Sequence, residues 1–492
     1  TNPNILLKHY LTISGNNTMR KYTKFYVNGN WIDPETPNSF DVTNPADETI
    51  AGVISLGSKS DVDKAVVAAR SAFTPFSRFS RQERLELLES ILITYNKYYD
   101  EIALAISDEM GAPLPFSIED QASCGTGHLQ AAINALKNFQ FEENNGNTRI
   151  YKEPIGVCAF ITPWNWPINQ ITCKVAPAIA TGCTMLLKPS EIAPFSAYLF
   201  SQVMDEAGVP NGVFNMINGD GPTVGTAMAE HPDVDMVSFT GSTRAGILVA
   251  KAAANTVKRV AQELGGKSAN IILDDADLEK AVSNGVIDCF SNSGQSCNAP
   301  TRMLVPKINH DLAVAIAVNT ADTIVVGDPK ADDTVIGPVV SKLHFNKIQK
   351  LIQQGIEEGV ELACGGTGKP EHLERGYYIK PTIFVNVDNA STIAQQEIFG
   401  PVLAIIPYQD DNEAIQIAND TPYGLCGYVS GSQPRALDIA SKLRTGMVHI
   451  NGAEGSFDAP FGGYKQSGNG REFGEYGFKD FLEIKAVMGI PN

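Results

Sequence analysis

Between residues 155 and 256 the chain repeats one pattern. A short, continuous apolar run is followed by a turn rich in Gly, Pro, Ser, Thr or Asn, and then by a stretch with helical spacing. The apolar runs cover 157–161, 184–187, 213–217 and 236–239, and the helical stretches lie near 167–181, 195–207, 221–230 and 243–256. Strands that are apolar at every position must be covered on both faces, and strands alternating with helices build a parallel sheet. The expected fold is therefore α/β, with a Rossmann-type unit at its centre. Ligands of open α/β sheets bind beyond the carboxyl ends of the strands. The polar punctuation falls there: Thr162-Pro163-Trp164-Asn165, Lys188-Pro189-Ser190-Glu191, Gly219-Asp220-Gly221 and Thr240-Gly241-Ser242-Thr243.

The flanking regions read differently. From 24 to 54 short β-like runs dominate, and Asn28-Gly29 between Phe25-Tyr26-Val27 and Trp31-Ile32 predicts a hairpin. Ser60-Asp61-Val62-Asp63 and Ser80-Arg81-Gln82-Glu83 fit capping boxes that open helices. After the second, Leu85, Leu88, Ile91, Leu92 and Tyr95 share one helical face. A further helix is expected over 119–138, a polar loop over 142–147 and a short polar strand over 148–153. From Gly265 a second α/β region follows. Its strands are expected at 270–273, 301–305, 402–406 and 447–450, with helices near 278–290, 342–358 and 411–419. Residues 478–488 are again strand-like, and no fixed-period repeat is present.

Composition excludes several classes. The chain of 492 residues carries a formal charge of −17, which argues against nucleic-acid and anionic-membrane surfaces, since both attract clustered Lys and Arg. No apolar run approaches the ~20 residues of a membrane helix. The 8 cysteines show no paired spacing and read as reduced thiols of a cytoplasmic protein. The 7 histidines are scattered, so no metal site is expected. Residues 1–18 lack the features of a signal peptide; Met19 is taken as a natural start and 1–18 as a leader or expression remnant.

Individual residues carry the chemistry. Cys297 sits in a small, polar loop (290–303) between an apolar segment and a β-like run, where a thiol is presented rather than packed away. It is either a nucleophile or a free thiol filling a small apolar hole. Gly219 to Gly225 spells G-x-G-x-x-x-G, a dinucleotide loop or an ordinary glycine-rich turn. Ser242 either offers a phosphate site at a helix start or serves as a simple N-cap. Lys188 and Glu191, three residues apart, suit the two hydroxyls of a ribose or form a surface ion pair. A carboxylate there repels a 2′-phosphate and favours NAD over NADP. Glu263, between an apolar run and Gly265-Gly266, is either a base raised by burial or a capped loop glutamate.

Five segments together resemble the aldehyde dehydrogenase superfamily: Pro163-Trp164-Asn165-Trp166-Pro167, Glu263-Leu264-Gly265-Gly266-Lys267, Gly294-Gln295-Ser296-Cys297, Glu397-Ile398-Phe399-Gly400-Pro401 and Pro460-Phe461-Gly462-Gly463-Tyr464-Lys465. The resemblance covers residues 20–492. It implies that Cys297 attacks an aldehyde to give a thiohemiacetal, with the Asn165 amide and the Cys297 backbone N–H holding the oxyanion. Hydride transfer to NAD⁺ then leaves a thioester, which water activated by Glu263 hydrolyses, and Lys174 matches a lysine of proton relay. The resemblance also implies cofactor contacts at Ile161, Thr162, Trp164, Lys188, Glu191, Gly221, Gly225, Ser242, Leu264, Glu397 and Phe399. Glutamate at 263 favours hydrolysis to the free acid over transfer to coenzyme A.

The implied organisation is an NAD-binding domain (19–137 and 154–263), a catalytic domain (264–466) and a small β oligomerisation arm (138–153 and 478–492), assembled as a dimer or tetramer. The substrate channel is expected at Trp166, Asn169, Gln170, Cys173, Ser296, Asn298 and Phe461. Polar side chains there favour a small, polar, uncharged aldehyde. The alternatives are a non-catalytic member of the same scaffold, or a cysteine acyltransferase or thioesterase without redox chemistry.

Overall fold

The computed structural model describes residues 19–490. The leader reading of 1–18 lies outside the described residues.

The alternating region builds the expected sheet. Eight strands run from edge to edge in the order Gly468–Asn469, Arg259–Glu263, Met236–Thr240, Val157–Ile161, Thr184–Lys188, Phe214–Met216, Phe25–Val27 and Asn30–Ile32. The middle five are mutually parallel. Val157–Ile161, Thr184–Lys188 and Met236–Thr240 are buried at every position, as their continuous apolar runs demand. From Val157–Ile161 the chain steps one way to 184 and 214, then crosses back to 236 and 259 on the other side. The switch point lies between Val157–Ile161 and Met236–Thr240, and it is there that a crevice opens beyond the strand ends. Register sets Ile161 beside Lys188 and Thr240 beside Glu263.

A second sheet of seven strands has the order Glu361–Cys364, Thr382–Val385, Val402–Tyr408, Arg302–Pro306, Ala269–Ile272, Cys426–Ser430 and Met447–Ile450. All neighbours are parallel except the first pair. Two three-stranded sheets complete the fold. One joins Arg20–Tyr22, Ile50–Ser55 and Ser39–Thr43; the other joins Leu482–Met488, Thr148–Pro154 and Glu142–Asn145. Among the described residues no helix is long and apolar enough to cross a membrane.

Several local expectations change. The polar loop at 142–147 is a strand, Glu142–Asn145, because its backbone pairs antiparallel with Thr148–Pro154 through a tight turn at Gly146. The first capping box belongs to Ser58, not Ser60. The Ser58 side chain accepts from Asp61 N and the Asp61 carboxylate accepts from Ser58 N, while Ser60 lies inside the helix Lys59–Phe76. The helix expected over 119–138 begins with a π-helical turn, Ser117–Ala122. The 478–488 run is strand only from Leu482, after a 3-10 helix, Gly474–Phe481.

Candidate active site

The helix Leu278–Phe290 ends where Asn292, Ser293 and Gly294 successively take left-handed backbone angles, turning the chain so that Cys297 meets the crevice. The thiol is partly exposed. Burial, with the Glu397 and Glu263 carboxylates, pushes its pKa far up, so the resting group is a thiol and needs a base. The Glu-Leu-Gly-Gly-Lys segment packs directly on this loop, and a Cβ at Gly266 would collide with the Cys297 carbonyl.

Glu263 ends its strand in the crevice. It is 4% exposed, and neither carboxylate oxygen has a hydrogen-bond partner among the described residues. Burial and the nearby Glu472 raise its pKa well above the ordinary carboxylate range, against the opposing charges of Lys174 and Arg471. A Cβ at Gly462 would stand 2.6 Å from Glu263 Oε1, so the Pro-Phe-Gly-Gly segment closes over the carboxylate as only glycine allows.

Lys174, on the helix Pro167–Thr181, is 1% exposed. Its ammonium donates to Thr240 Oγ1 at 2.8 Å and forms a close ion pair with Glu472, whose other oxygen accepts from the Cys173 thiol at 3.3 Å. Burial is the largest influence and opposes the Lys174 charge, but Glu472, Cys173 and Glu263 together raise the pKa. Asn165 is 4% exposed and donates one amide hydrogen to the Gln295 carbonyl at 3.1 Å, leaving its second for a ligand.

Two clefts meet at Cys297. One is walled by Trp164, Asn165, Ser242, Glu263, Leu264, Glu397 and Phe399. The other, the wider of the two, is walled by Trp166, Asn169, Asn298, Phe457, Phe461 and Phe473. Cys297 and Gln170 line both. Glu397 accepts from Gly266 N at 2.9 Å, and Trp164 and His344, tilted against each other, each pack edge to face with Phe399.

Of the other expected cofactor residues, Ile161, Thr162, Lys188, Glu191, Gly221 and Gly225 lie outside that lining. Lys188 Nζ donates to Gly219 O at 2.6 Å, Pro189 O at 2.9 Å and Glu191 Oε2 at 3.4 Å, which ties two strand-end turns together. Ile161 is buried, and Thr162 Oγ1 is buried without a partner among the described residues. Gly221 has open space around it, and a Cβ at Gly225 would touch Lys188 Cδ and Ile161 Cδ1 at 3.8 and 3.9 Å. Ser242 is the N-cap of the helix Thr243–Ala253 and accepts from Ala245 N at 3.3 Å.

Several of the polar groups expected to line the channel are already engaged or face elsewhere. The Asn169 carbonyl oxygen faces His128 Nε2 at 2.7 Å; burial pulls His128 down to about 4, so the neutral ring donates and that oxygen is already satisfied. Cys173 does not line the channel: it faces a separate small gap beside His128 and Phe473. Ser296 is held by Trp166 Nε1 at 2.9 Å. Gln170 and Asn298 remain as expected polar lining beside the aromatic walls, and His449, Glu454 and Ser456 add polar groups from the 446–461 segment.

Sequence reasoning missed Glu472, His344, Lys347, Phe457, Phe473, Gln121 and Asn292. None sits in a recognisable local motif, and Glu472 lies 298 residues from the lysine it pairs with.

The sequence model of the aldehyde dehydrogenase family matches residues 31–487. The chain belongs to that family. This aldehyde dehydrogenase is 60% identical over 473 residues to a 3-succinoylsemialdehyde-pyridine dehydrogenase of a Pseudomonas species, covering 96% of this chain and 99% of the relative. Among solved structures it resembles a cysteine-to-alanine mutant of aldehyde dehydrogenase C from Pseudomonas syringae, complexed with NAD⁺ and octanal. There the TM-score is 0.95 at 50% identity, covering 96% of this chain and 99% of the other. It also resembles a Mycobacterium tuberculosis aldehyde dehydrogenase complexed with NAD⁺, with TM-score 0.94, 37% identity and the same coverages.

Proposed function

We propose that this aldehyde dehydrogenase oxidises an aldehyde to its carboxylic acid with NAD⁺, by covalent catalysis at Cys297. The observation that carries the reading is the meeting of two clefts at a partly exposed thiol, beside a buried carboxylate with no partner of its own. The Cys297 sulfur adds to the carbonyl carbon, its proton passing to a base, and the carbonyl electrons collect on oxygen. The free Asn165 amide hydrogen and the Cys297 backbone N–H hold that oxyanion, each such donor supplying about 10²–10³ in rate. The chemistry a bound NAD⁺ supplies is two-electron oxidation of the sulfur-bound carbon. Glu263 then removes a proton from the water that hydrolyses the thioester on Cys297. Lys174, with Glu472, offers a buried charged pair beside it for proton movement.

The residues present fit the cofactor. The unpartnered Thr162 hydroxyl, the open glycine turn at Gly221 and the singly bonded Glu397 carboxylate are groups a dinucleotide would satisfy. Leu264, Glu397 and Phe399 would hold its nicotinamide side, Trp164 and Ser242 its pyrophosphate, and Ile161, Thr162, Lys188, Glu191, Gly221 and Gly225 its adenosine side. Glu191 selects against a 2′-phosphate.

The aromatic channel supports an aldehyde with an extended apolar or aromatic body rather than a small polar one. The pyridine and octanal named for its relatives agree with that size. The unit of 19–137 and 154–263 binds cofactor, 264–466 carries the nucleophile, and 138–153 with 478–492 mediates homo-oligomerisation. The free thiols suit a cytoplasmic protein.

The test is NADH formation from octanal, benzaldehyde and glyceraldehyde, each with NAD⁺ and NADP⁺. Octanal with NAD⁺ is expected to give a kcat/KM at least about tenfold above glyceraldehyde. A preference for glyceraldehyde sinks the channel reading, one for NADP⁺ the Glu191 reading, and no turnover with any aldehyde the reaction itself.

A further inference from the structure

We infer that Asn292 is a positioning residue that locks the two halves of the oxyanion site together, with Gln121 as its partner; the inference rests on the covalent chemistry proposed above. Asn292 and Ser293 hold φ of +53° and +58°, immediately before Gly294 at +72°. Left-handed backbone costs little at glycine but is strained at the two residues before it. Something must hold this turn, and the contacts show what does.

The Asn292 amide nitrogen donates to the Asn165 carbonyl at 2.9 Å and to the Gln295 carbonyl at 3.2 Å. Its amide oxygen accepts from Gln121 Nε2 at 3.4 Å, and the same Gln121 nitrogen reaches the Asn165 carbonyl at 3.0 Å. Gln295 returns a bond to the Asn292 carbonyl at 3.0 Å. Asn292, Gln121 and Gln295 are at most 3% exposed, so these bonds form away from water, where a missing partner is costly.

Asn165 lies between the end of the strand Val157–Ile161 and the start of the helix Pro167–Thr181. No regular element fixes its backbone there. Its carbonyl is instead held by two side-chain amides, one from the π-helical turn Ser117–Ala122 and one from the nucleophile's own loop. Its side chain in turn donates to Gln295 O, two residues before Cys297. One amide therefore ties the donor of the first half of the site to the loop carrying the second half. Asparagine meets both demands, since it tolerates left-handed backbone and can donate to two carbonyls.

The merely structural alternative is that Asn292 is there only to accept the turn. Asn292→Gly separates the two readings, because it relieves the left-handed cost and removes the tether. With octanal and NAD⁺, N292G is expected to lose about 10–100-fold in kcat, less than outright loss of a donor. Alkylation of Cys297 by iodoacetamide passes through no oxyanion, and its rate is expected to stay within about threefold of wild type. N292G is also expected to add little to the loss from Asn165→Ala, as coupled residues do.

An N292G enzyme whose kcat lies within about threefold of wild type overturns the positioning role. So does a parallel fall in alkylation and turnover, which would place the effect on the thiol. If N292G does not fold, N292D keeps the volume, cannot donate to the two carbonyls, and is judged by the same readouts. A wild-type enzyme without turnover sinks the proposed reaction and the positioning role together; wild-type turnover with an equally active N292G sinks the positioning role alone.

Discussion

At Glu263 the demands of catalysis and stability oppose each other. A carboxylate without a hydrogen-bond donor is a strong base and an unfavourable buried charge at once. Activity needs the ionised form, and burial followed by Glu472 favours the neutral one, so kcat is expected to rise with pH through a range above that of ordinary carboxylates. Glu263→Gln is expected to lower steady-state kcat by about 10²–10⁴ while a first-turnover burst of NADH survives. The stability sign follows from the raised folded pKa. The group stabilises fully below its unfolded value near ~4.3, and that contribution is lost as pH rises toward the folded value. E263Q should therefore melt above wild type at neutral pH, the gap closing toward pH ~4. Thermal unfolding across pH checks this, and a Tm below wild type at pH ~7 would show that the carboxylate has a partner the geometry does not reveal. Sequence pointed to this residue through its apolar approach and double glycine. Asn169 and Cys173 were read less well, since nothing local shows that His128 takes one and Glu472 the other.

Elements begin where side chains satisfy orphan N–H groups, and two overlapping frames compete before the helix Lys59–Phe76. Ser58-Lys59-Ser60-Asp61 and Ser60-Asp61-Val62-Asp63 both read Ser-x-x-Asp. The tertiary structure chooses the first, because Asp61 is buried and its other oxygen accepts from Glu35 N at 2.9 Å, whereas Asp63 lies toward solvent. Ser58→Ala is expected to cost about 1 kcal/mol and Ser60→Ala less than about 0.5 kcal/mol. Urea midpoints of the two variants decide it; equal losses would mean the cap is shared. The buried parallel strands were legible because continuous apolar runs have one physical use. The strand Glu142–Asn145 was not, being exposed at every position and defined only by its partner.

Across the whole molecule, what the chain's order conceals is which distant segments close the site. The edge strand Gly468–Asn469 pairs with Arg259–Glu263, and so the turn after it delivers Glu472 to Lys174. The same C-terminal stretch then leaves the site and forms Leu482–Met488, which pairs with Thr148–Pro154 along seven registered positions. On this edge strand Ile484, Ala486 and Met488 point to one face, and Ile484 and Met488 are 72% and 71% exposed. A row of apolar side chains beside unpaired backbone groups is a surface that soluble proteins cover or charge. Here the proposed homo-oligomer covers it. Ile484→Asp combined with Met488→Asp places two charges on that face without touching either cleft. Sedimentation velocity is expected to show the wild type as a dimer or larger and the double variant shifted to monomer. A wild type that sediments as a monomer, or a double variant that keeps its assembly, would remove the arm from the account. Turnover measured on the same samples separates assembly from chemistry, because neither Ile484 nor Met488 lines either cleft.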